Sequence, residues 1–281
     1  MNSGKISNRI RYELVQLGKR LQAPGVSGRE LAVFSDDVFI VSYPKSGNTW
    51  ARFLLGNLLH QDEGVTFTNI EQKIPDIYMN RSRLLEAFQR PRVLKSHEYL
   101  DPRYRKVIYI VRDPRDVAVS YYHYLIKMHE IDDNYPVEQY VQRFVEGSWD
   151  SYGSWGDHVG GWLGARSETD GFLLLQYEDM LDAPEDNLRA MSLFLEIDFT
   201  EQMIDQAVAV SSFKNMQKLE KKESEYWSPL KSGRSDKPFV RQAKKGGWRD
   251  ELPNESVDVI ERAWGSHMSR LGYEIGIKQE V

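Results

Sequence analysis

The sequence of 281 residues contains no cysteine. This absence excludes disulfide bonds, thiolate nucleophiles and cysteine-ligated metals. No apolar run approaches the roughly 20 residues that a helix needs to cross a bilayer, and the first residues lack the apolar core of a secretory leader. The histidines form no HExxH or comparable metal-binding pair. These absences predict a cytoplasmic protein that contacts no membrane and requires no metal.

The chain also lacks an excess of positive charge. It has 37 Lys and Arg residues against 42 Asp and Glu residues, a formal net charge of −5. A protein that binds nucleic acid without sequence preference is usually basic, so we expect no nucleic-acid partner. The weaker alternative is an RNA- or DNA-binding protein that uses its basic C-terminal segment. Any site for an anion must be local.

What is present is a repeated pattern of apolar strand, polar turn and helix. Residues 38–41, 107–111 and 172–175 are short apolar runs, and each is followed by a polar turn and a segment of helical periodicity. Continuous apolar strands that alternate with helices predict a parallel sheet covered on both faces, and therefore an α/β fold. We expect one domain over residues 36–281, preceded by a helical appendage over residues 1–35.

The first polar turn, SYPKSGNTW at residues 42–50, resembles a phosphate-binding loop. It is not a Walker A sequence, because Lys45 precedes Gly47 instead of following the last glycine. Gly47 permits close backbone approach, and the first turn of the following helix directs N–H groups toward an anion. The alternative is an ordinary turn between a strand and a helix.

The segment PRVLKSHEYL (residues 91–100) ends a second apolar run with a cation and a titratable ring. Lys95 and His97 are two residues apart, so on a strand they point the same way. Such a pair suits a reaction in which a hydroxyl is deprotonated while negative charge builds on a leaving oxygen. The competing interpretation of His97 is a structural histidine.

RDPRD, which follows residues 107–111, predicts a helix start with Asp113 as N-cap and Pro114 at the first helical position. Arg112 and Ser120 would then face the same cleft and suit a phosphate group. Alternatively, Arg112 pairs with Asp113 or Asp116.

Residues 234–249 (RSDKPFVRQAKKGGWR) carry six basic side chains and one acidic one. The composition favours a solvated loop, and the alternative is a mobile cationic lid over an anion.

The motifs together resemble those of the cytosolic sulfotransferase family. Within that family, we expect a bacterial-type member. SYPKSGNTW, LKSH, YIVRDPRDVAVSYYHY, YGSWGDHVGGWL, LQYEDM, SSFKNM and RQAKKGGWR occur in the family's order over residues 36–275. The resemblance implies a single α/β domain with about five parallel strands, related to nucleotide kinases. It also implies 3′-phosphoadenosine 5′-phosphosulfate (PAPS) as co-substrate and a small-molecule acceptor.

The same resemblance assigns roles to individual residues. His97 is similar to the general base, Lys95 to a lysine that stabilises the sulfuryl group, and Lys45 to the contact of the bridging oxygen. The other implied contacts of the donor are grouped by the part they bind: Ser46, Gly47, Asn48 and Thr49 at the 5′-phosphate; Trp50, Tyr177 and Phe213 at the adenine; Arg112, Ser120, Arg241, Gln242 and Ala243 at the 3′-phosphate.

Two motifs depart from the family pattern. In the late basic motif, Gln242 stands where lysine is usual and Ala243 where glycine is usual, while Lys244 and Lys245 bring charge at shifted positions. The family's dimerisation pattern KxxxTVxxxE is present only in part, with Ser256 followed by Val257 and then Glu261, and with Leu252 at the position of the lysine. The chain is therefore expected to be a monomer or a homodimer.

The segments expected to line the acceptor pocket are rich in aromatic residues. They contain Phe67, Tyr78, Met79, Phe88, Tyr135, Trp149, Tyr152, Trp155, Tyr226 and Trp227, together with the acids Glu130, Asp132 and Asp133. The expected reaction is in-line sulfation of a phenol, alcohol or natural-product hydroxyl with His97 as base. N-sulfation of an amine or guanidine, a kinase-like ATP phosphotransferase and a nucleotide-binding protein without catalysis are the alternatives.

Overall fold

The computed structural model describes residues 28–223 and 225–276. The helix expected over residues 6–21, and with it most of the expected appendage, lies outside these residues. Within them, Leu31 is already buried in the core. The domain boundary at residue 35 stays a prediction.

A parallel sheet forms the centre of the fold. Its strands are β1 (Val38–Ser42), β2 (Val93–Ser96), β3 (Lys106–Val111) and β4 (Phe172–Gln176), in the spatial order β2-β1-β3-β4. Val38 is opposite Val93 of β2 and Lys106 of β3, and all three strand pairs are parallel. The expected parallel α/β fold is therefore confirmed, although the described residues contain four strands where about five were expected.

The strands are apolar throughout because both faces of the sheet are covered. Along β1, Phe39 and Val41 enter one core cluster, whereas Val38 and Ile40 enter the other. Successive side chains of a strand point to opposite faces, so a strand buried on both sides has to be apolar throughout. Burial of one such side chain contributes roughly 1.5–3 kcal/mol.

The helices divide between these two faces. The longer ones on the first face are α4 (Pro114–Lys127), α5 (Val137–Val145), α6 (Trp155–Arg166) and α13 (Asn254–Arg270). The second face is covered by α1 (Asn48–Leu59), α7 (Tyr177–Asp182), α8 (Pro184–Leu195) and α9 (Glu201–Val210). The remaining helices are α2 (Ile70–Lys73), α3 (Ser82–Glu86), α10 (Phe213–Glu223), α11 (Ser228–Lys231) and α12 (Trp248–Glu251), with a short 3₁₀ turn at Gly28–Glu30.

The start of α4 has the predicted geometry. Asp113 is the N-cap, its side chain accepts the backbone N–H of Arg115, and Pro114 is the first helical residue. This start places the turn after β3 at the same edge of the sheet as the turn after β1. Among residues 28–223 and 225–276, no helix has the length and apolar character that crossing a membrane requires.

Candidate active site

A cavity of about 480 Å³ opens at the carboxyl ends of the strands. The end of every strand in the sheet contributes to its wall: Lys45 after β1, His97 after β2, Arg112 after β3 and Tyr177 after β4. This is where ligands bind in open parallel sheets, because the turns at that edge converge.

The structure brings almost all predicted site residues to this one cavity. Ser46 is the exception, since its fully buried side chain lies behind the wall. Those in the wall are Lys45, Gly47, Asn48, Thr49, Trp50, Lys95, His97, Arg112, Ser120, Tyr177, Phe213, Arg241, Gln242 and Ala243.

The turn after β1 has a backbone shaped for an anion. Lys45 has φ 69° and Gly47 has φ 100°, both in the left-handed region. A Cβ at Gly47 would lie 2.4 Å from the ring of Tyr177, so only glycine fits there. Turns of this kind, followed by the N-terminus of α1, direct backbone N–H groups toward one point. The buried Ser46 Oγ has no hydrogen-bond partner among the described residues.

Lys45 is half-buried and has no ion-pair partner among the described residues. Its Nζ lies 4.3 Å from the ring centres of both Tyr124 and Phe239, and no carboxylate of the described residues is within ion-pair distance. Burial, followed by the nearby Arg112 guanidinium, lowers the pKa of Lys45 to about 7. A ligand with negative charge at this position would restore the ammonium form.

His97 lines the cavity with one of its ring nitrogens engaged in a hydrogen bond. Its Nδ1 lies 2.7 Å from the carbonyl oxygen of Ser42, and because a carbonyl can only accept, Nδ1 carries the proton. Nε2 therefore presents a lone pair. Burial, and then the charge of Lys95, hold the pKa of His97 well below its usual value of 6.5, so the ring is neutral at pH 7.

Neighbouring side chains fix the backbone of His97. The His97 N–H donates to the hydroxyl of Tyr78 at 3.2 Å, and His158 Nε2 donates to the His97 carbonyl oxygen at 3.3 Å. His158 in turn accepts the hydroxyl of Tyr109 at Nδ1, 2.8 Å away. Burial lowers the pKa of His158 to about 3, so it is a neutral structural histidine.

Lys95 has a partner that sequence reasoning missed. Its Nζ donates to Asp76 Oδ2 at 2.6 Å, and both side chains line the cavity. The backbone of residues 75–77 pairs in parallel with Lys95, which places Asp76 there. Because this pairing joins residues far apart along the chain, no local motif indicates it.

Arg112 makes neither of the ion pairs that were its alternative. Its Nη1 donates to the Lys45 carbonyl oxygen at 3.3 Å and its Nη2 to that of Lys244 at 3.2 Å. Its Nε is buried without a partner among the described residues. Asp113 instead binds Arg115 at 2.6 Å.

Asp116, also in the cavity wall, binds backbone N–H groups instead of Arg112. Its carboxylate accepts the N–H groups of Gly246 and Trp248, at 2.6 Å and 3.0 Å, and so fastens the late basic motif to α4. The Arg112 guanidinium therefore remains available at the wall.

The late basic segment is anchored and its charges are neutralised. The carboxylate of Glu220 accepts the N–H groups of Phe239 and Val240, at 2.5 Å and 2.7 Å. Five of its six cations have acidic partners. Arg234 binds Asp236 and Lys237 binds Asp133, each at 2.6 Å. Arg241 binds Glu251 at 3.0 Å, Lys244 binds Asp250 at 2.8 Å, and Lys245 binds Asp182.

Gln242 occupies the motif's usual lysine position. Of the two lysines that follow it, Lys244 lines the cavity and Lys245 lies outside its wall. Ala243 has φ 47°, a conformation that glycine adopts more easily. The departure from the family's glycine therefore leaves the left-handed turn in place, at a cost in strain.

Most of the aromatic residues expected in the acceptor pocket lie elsewhere. Trp155 and Phe67 are core residues with 0% and 1% exposure, and Tyr226 is 74% exposed. Phe88, Tyr135 and Trp149 pack on the outside of the first core cluster. Those that do line the cavity are Tyr78, Met79, Tyr152 and Trp227, joined by Tyr121, Tyr124, Met216 and Phe239.

The partial dimerisation pattern faces the inside of this chain. Ser256 and Glu261 are buried, and Glu261 binds Arg115 at 2.6 Å and the N–H of Gly276 at 2.8 Å. Glu261 thus joins α13 to α4, and neither side chain is exposed to a second copy.

Comparison with known proteins identifies the family. The family model described as "Sulfotransferase domain" matches residues 35–272. Sulfotransferase 1 family member D1 of Rattus norvegicus is 31% identical over 83% of each chain, and sulfotransferase 1A1 of Canis lupus familiaris is 32% identical over 80% of this chain and 81% of its own. Amine sulfotransferase of Oryctolagus cuniculus is 26% identical over 85% of this chain and 83% of its own.

Solved structures share the fold. A retinol dehydratase in complex with retinol and PAP has a TM-score of 0.74 at 18% identity, covering 93% of this chain and 87% of its own. Mouse sulfotransferase SULT7A1 complexed with PAP has a TM-score of 0.69 at 24% identity, covering 86% and 88%.

A parallel sheet with an anion-shaped turn and a neutral histidine at one edge defines a group-transfer enzyme that acts on a nucleotide-linked anion. The family match makes the class specific: the chain belongs to the sulfotransferase family. It is therefore a PAPS-dependent sulfotransferase, and the kinase-like and non-catalytic alternatives are set aside.

Proposed function

We propose that this chain transfers the sulfuryl group of PAPS to a hydroxyl group of a small neutral molecule, with His97 as the general base. The observation that carries this proposal is the state of His97 in the cavity wall. Its Nδ1 is bound to the Ser42 carbonyl, so the Nε2 lone pair is directed to accept a proton.

The residues in the cavity fit the donor. The turn after β1 offers backbone N–H groups to the 5′-phosphate, and the Arg112 Nε in the cavity wall has an unused donor for the 3′-phosphate. The rings of Trp50, Tyr177 and Phe213, which line the wall between these groups, suit the adenine.

When bound, the donor supplies the sulfuryl group together with a bridging oxygen that gains negative charge as its bond to sulfur breaks. Lys45 and Lys95 are the cations near that charge, because both line the cavity close to His97, at what we call its reacting end. His97 Nε2 takes the proton of the attacking hydroxyl.

The charges on the cavity wall favour a neutral acceptor. Of the acids in the wall, Asp76 binds Lys95 and Asp116 binds two backbone N–H groups, so neither is available to a cation. Glu130 and Asp132 are exposed and lie outside the wall, and Asp133 is bound to Arg234. No observation favours N-sulfation, even though one relative is named an amine sulfotransferase.

A labelling experiment tests the proposed function. The protein is incubated with sulfur-labelled PAPS and a mixed panel of phenols, alcohols and amines, and labelled products are identified by mass. We expect labelled sulfate esters of hydroxyl compounds and no labelled sulfamates. Labelled amines without labelled esters would contradict the proposal. The cytoplasmic location and the monomeric or homodimeric state stay predictions.

A further inference from the structure

The reacting end of the cavity contains a polar network in which Lys95, the lysine that the resemblance assigns to the sulfuryl group, is paired with an acid that no motif predicts. The network consists of Arg52, Glu71, Asp76 and Lys95, of which all but Glu71 line the cavity. Arg52 Nη2 donates to Glu71 at 2.8 Å, and Lys95 Nζ donates to Asp76 at 2.6 Å. Two cations thus face two anions, and the network as a whole is neutral.

The two acids of this network are occupied. Asp76 accepts Lys95 at Oδ2 and the N–H of Tyr78 at Oδ1, 2.8 Å away. Glu71 Oε2 accepts the N–H of Asp76 at 2.8 Å and the side-chain amide of Asn80 at 2.9 Å. The position of Asp76 is therefore determined by both its backbone and its side chain.

Lys95 is different, because most of its donors are unused. An ammonium group has three N–H donors, and in the described residues only the bond to Asp76 is found for Nζ. The side chain is 12% exposed, and that exposure is toward the cavity, since Lys95 is part of its wall. A buried donor without a partner costs free energy, and a ligand oxygen at this point would recover it.

Lys95 and His97 are close enough to contact one small molecule. They are two residues apart at the end of β2, which separates their Cα atoms by roughly 6.6 Å along an extended chain. Both line the same cavity. An acceptor whose hydroxyl meets His97 can therefore present a second oxygen, a few bonds away, to Lys95.

We propose that the Asp76–Lys95 pair selects the acceptor: the enzyme prefers neutral molecules that carry a second hydroxyl or carbonyl oxygen close to the hydroxyl that is sulfated. This inference rests on the proposed function and specifies its substrate class. Asp76 holds Lys95 in place and balances its charge, so the second oxygen is recognised by a hydrogen bond and need not be ionised. A site of this kind discriminates against analogues that lack the oxygen.

Matched acceptors test the proposal. The dissociation constants of catechol and phenol from the enzyme–PAP complex are measured by calorimetry, and the same two compounds are assayed for sulfation with PAPS. We expect catechol to bind about tenfold more tightly or better. In Lys95→Met and in Asp76→Asn the ratio should fall toward one, and each variant's affinity for PAP shows whether it is folded.

Lys237→Met is the matched control, because Lys237 binds Asp133 outside the cavity and its loss should leave the ratio unchanged. The proposal is overturned if wild type binds phenol as tightly as catechol. It is equally overturned if Lys95→Met changes the affinity for both compounds by the same factor, since Lys95 would then not recognise the second oxygen. If neither compound nor any other alcohol is sulfated, the proposed function fails first.

Discussion

Lys45 at one end of the cavity and Arg241 and Lys244 at the other are cations in opposite states, while Lys95 near Lys45 is paired with Asp76. At the reacting end, Lys45 lies between two rings with no carboxylate beside it. At the opposite end, where the 3′-phosphate is expected to bind and which we call the far end, Arg241 and Lys244 are partly exposed and bound to acids. The difference shows that composition alone does not identify a catalytic cation: a basic run is solvated and paired, whereas a single lysine in a short turn carries an uncompensated charge.

The largest expected effect comes from the base at the reacting end. His97→Ala removes the Nε2 lone pair, and we expect turnover to fall by roughly 10²- to 10⁴-fold. The affinity for PAP should stay near that of wild type, because no phosphate contact is assigned to His97. His60→Ala, outside the cavity wall, is the control. Near-normal turnover in His97→Ala would exclude it as the base.

The pH dependence of the reaction is expected to report the state of Lys45. Its pKa of about 7 means that the free enzyme loses the ammonium as the pH rises through 7. His97, with its pKa well below 6.5, is already the neutral base over this range. The value of kcat/KM for PAPS should therefore fall above pH 7, approaching tenfold per pH unit.

The Lys45→Arg variant tests whether deprotonation of Lys45 causes the alkaline fall in kcat/KM. A guanidinium stays protonated over the whole range, so the variant should be slower than wild type but should lose the alkaline fall. If the fall persists in Lys45→Arg, the titrating group is elsewhere.

A smaller effect is expected at the far end. Glu251 holds both terminal nitrogens of Arg241, at 3.1 Å and 3.0 Å, and so competes with a bound phosphate. Glu251→Gln should tighten PAP binding about two- to fivefold, in keeping with the modest energies of partly exposed ion pairs. Calorimetry would measure this, with Asp236→Asn as a control outside the cavity. Unchanged or weaker binding would mean that Arg241 does not reach the phosphate.

The sequence was sufficient for features that depend on neighbours along the chain. The apolar strand before SYPKSGNTW, the close approach at Gly47 and the Asp113 cap on α4 all follow from local rules. Convergence of the turns at one edge followed from the parallel sheet, which is why nearly all predicted site residues meet in one cavity.

Features that depend on distant pairing were not predictable in this way. Asp76 meets Lys95 through a bridge between separate segments, and Lys45 is enclosed by rings from α4 and from the late segment. Likewise, aromatic content could not distinguish Trp155, a core residue, from Tyr152 at the wall. Both are apolar enough to be buried, and only packing decides between core and cavity.

The account assigns the sulfuryl group to the reacting end of the cavity and the 3′-phosphate to the far end. One affinity ratio tests this assignment most directly. The dissociation constants of 3′-phosphoadenosine 5′-phosphate and adenosine 5′-phosphate, which differ only in the 3′-phosphate, are measured for wild type, Arg112→Ala and Lys45→Met. The account predicts strong preference for the 3′-phosphorylated nucleotide in wild type and in Lys45→Met, and loss of most of that preference in Arg112→Ala. An Arg112→Ala variant that keeps the full preference would contradict it.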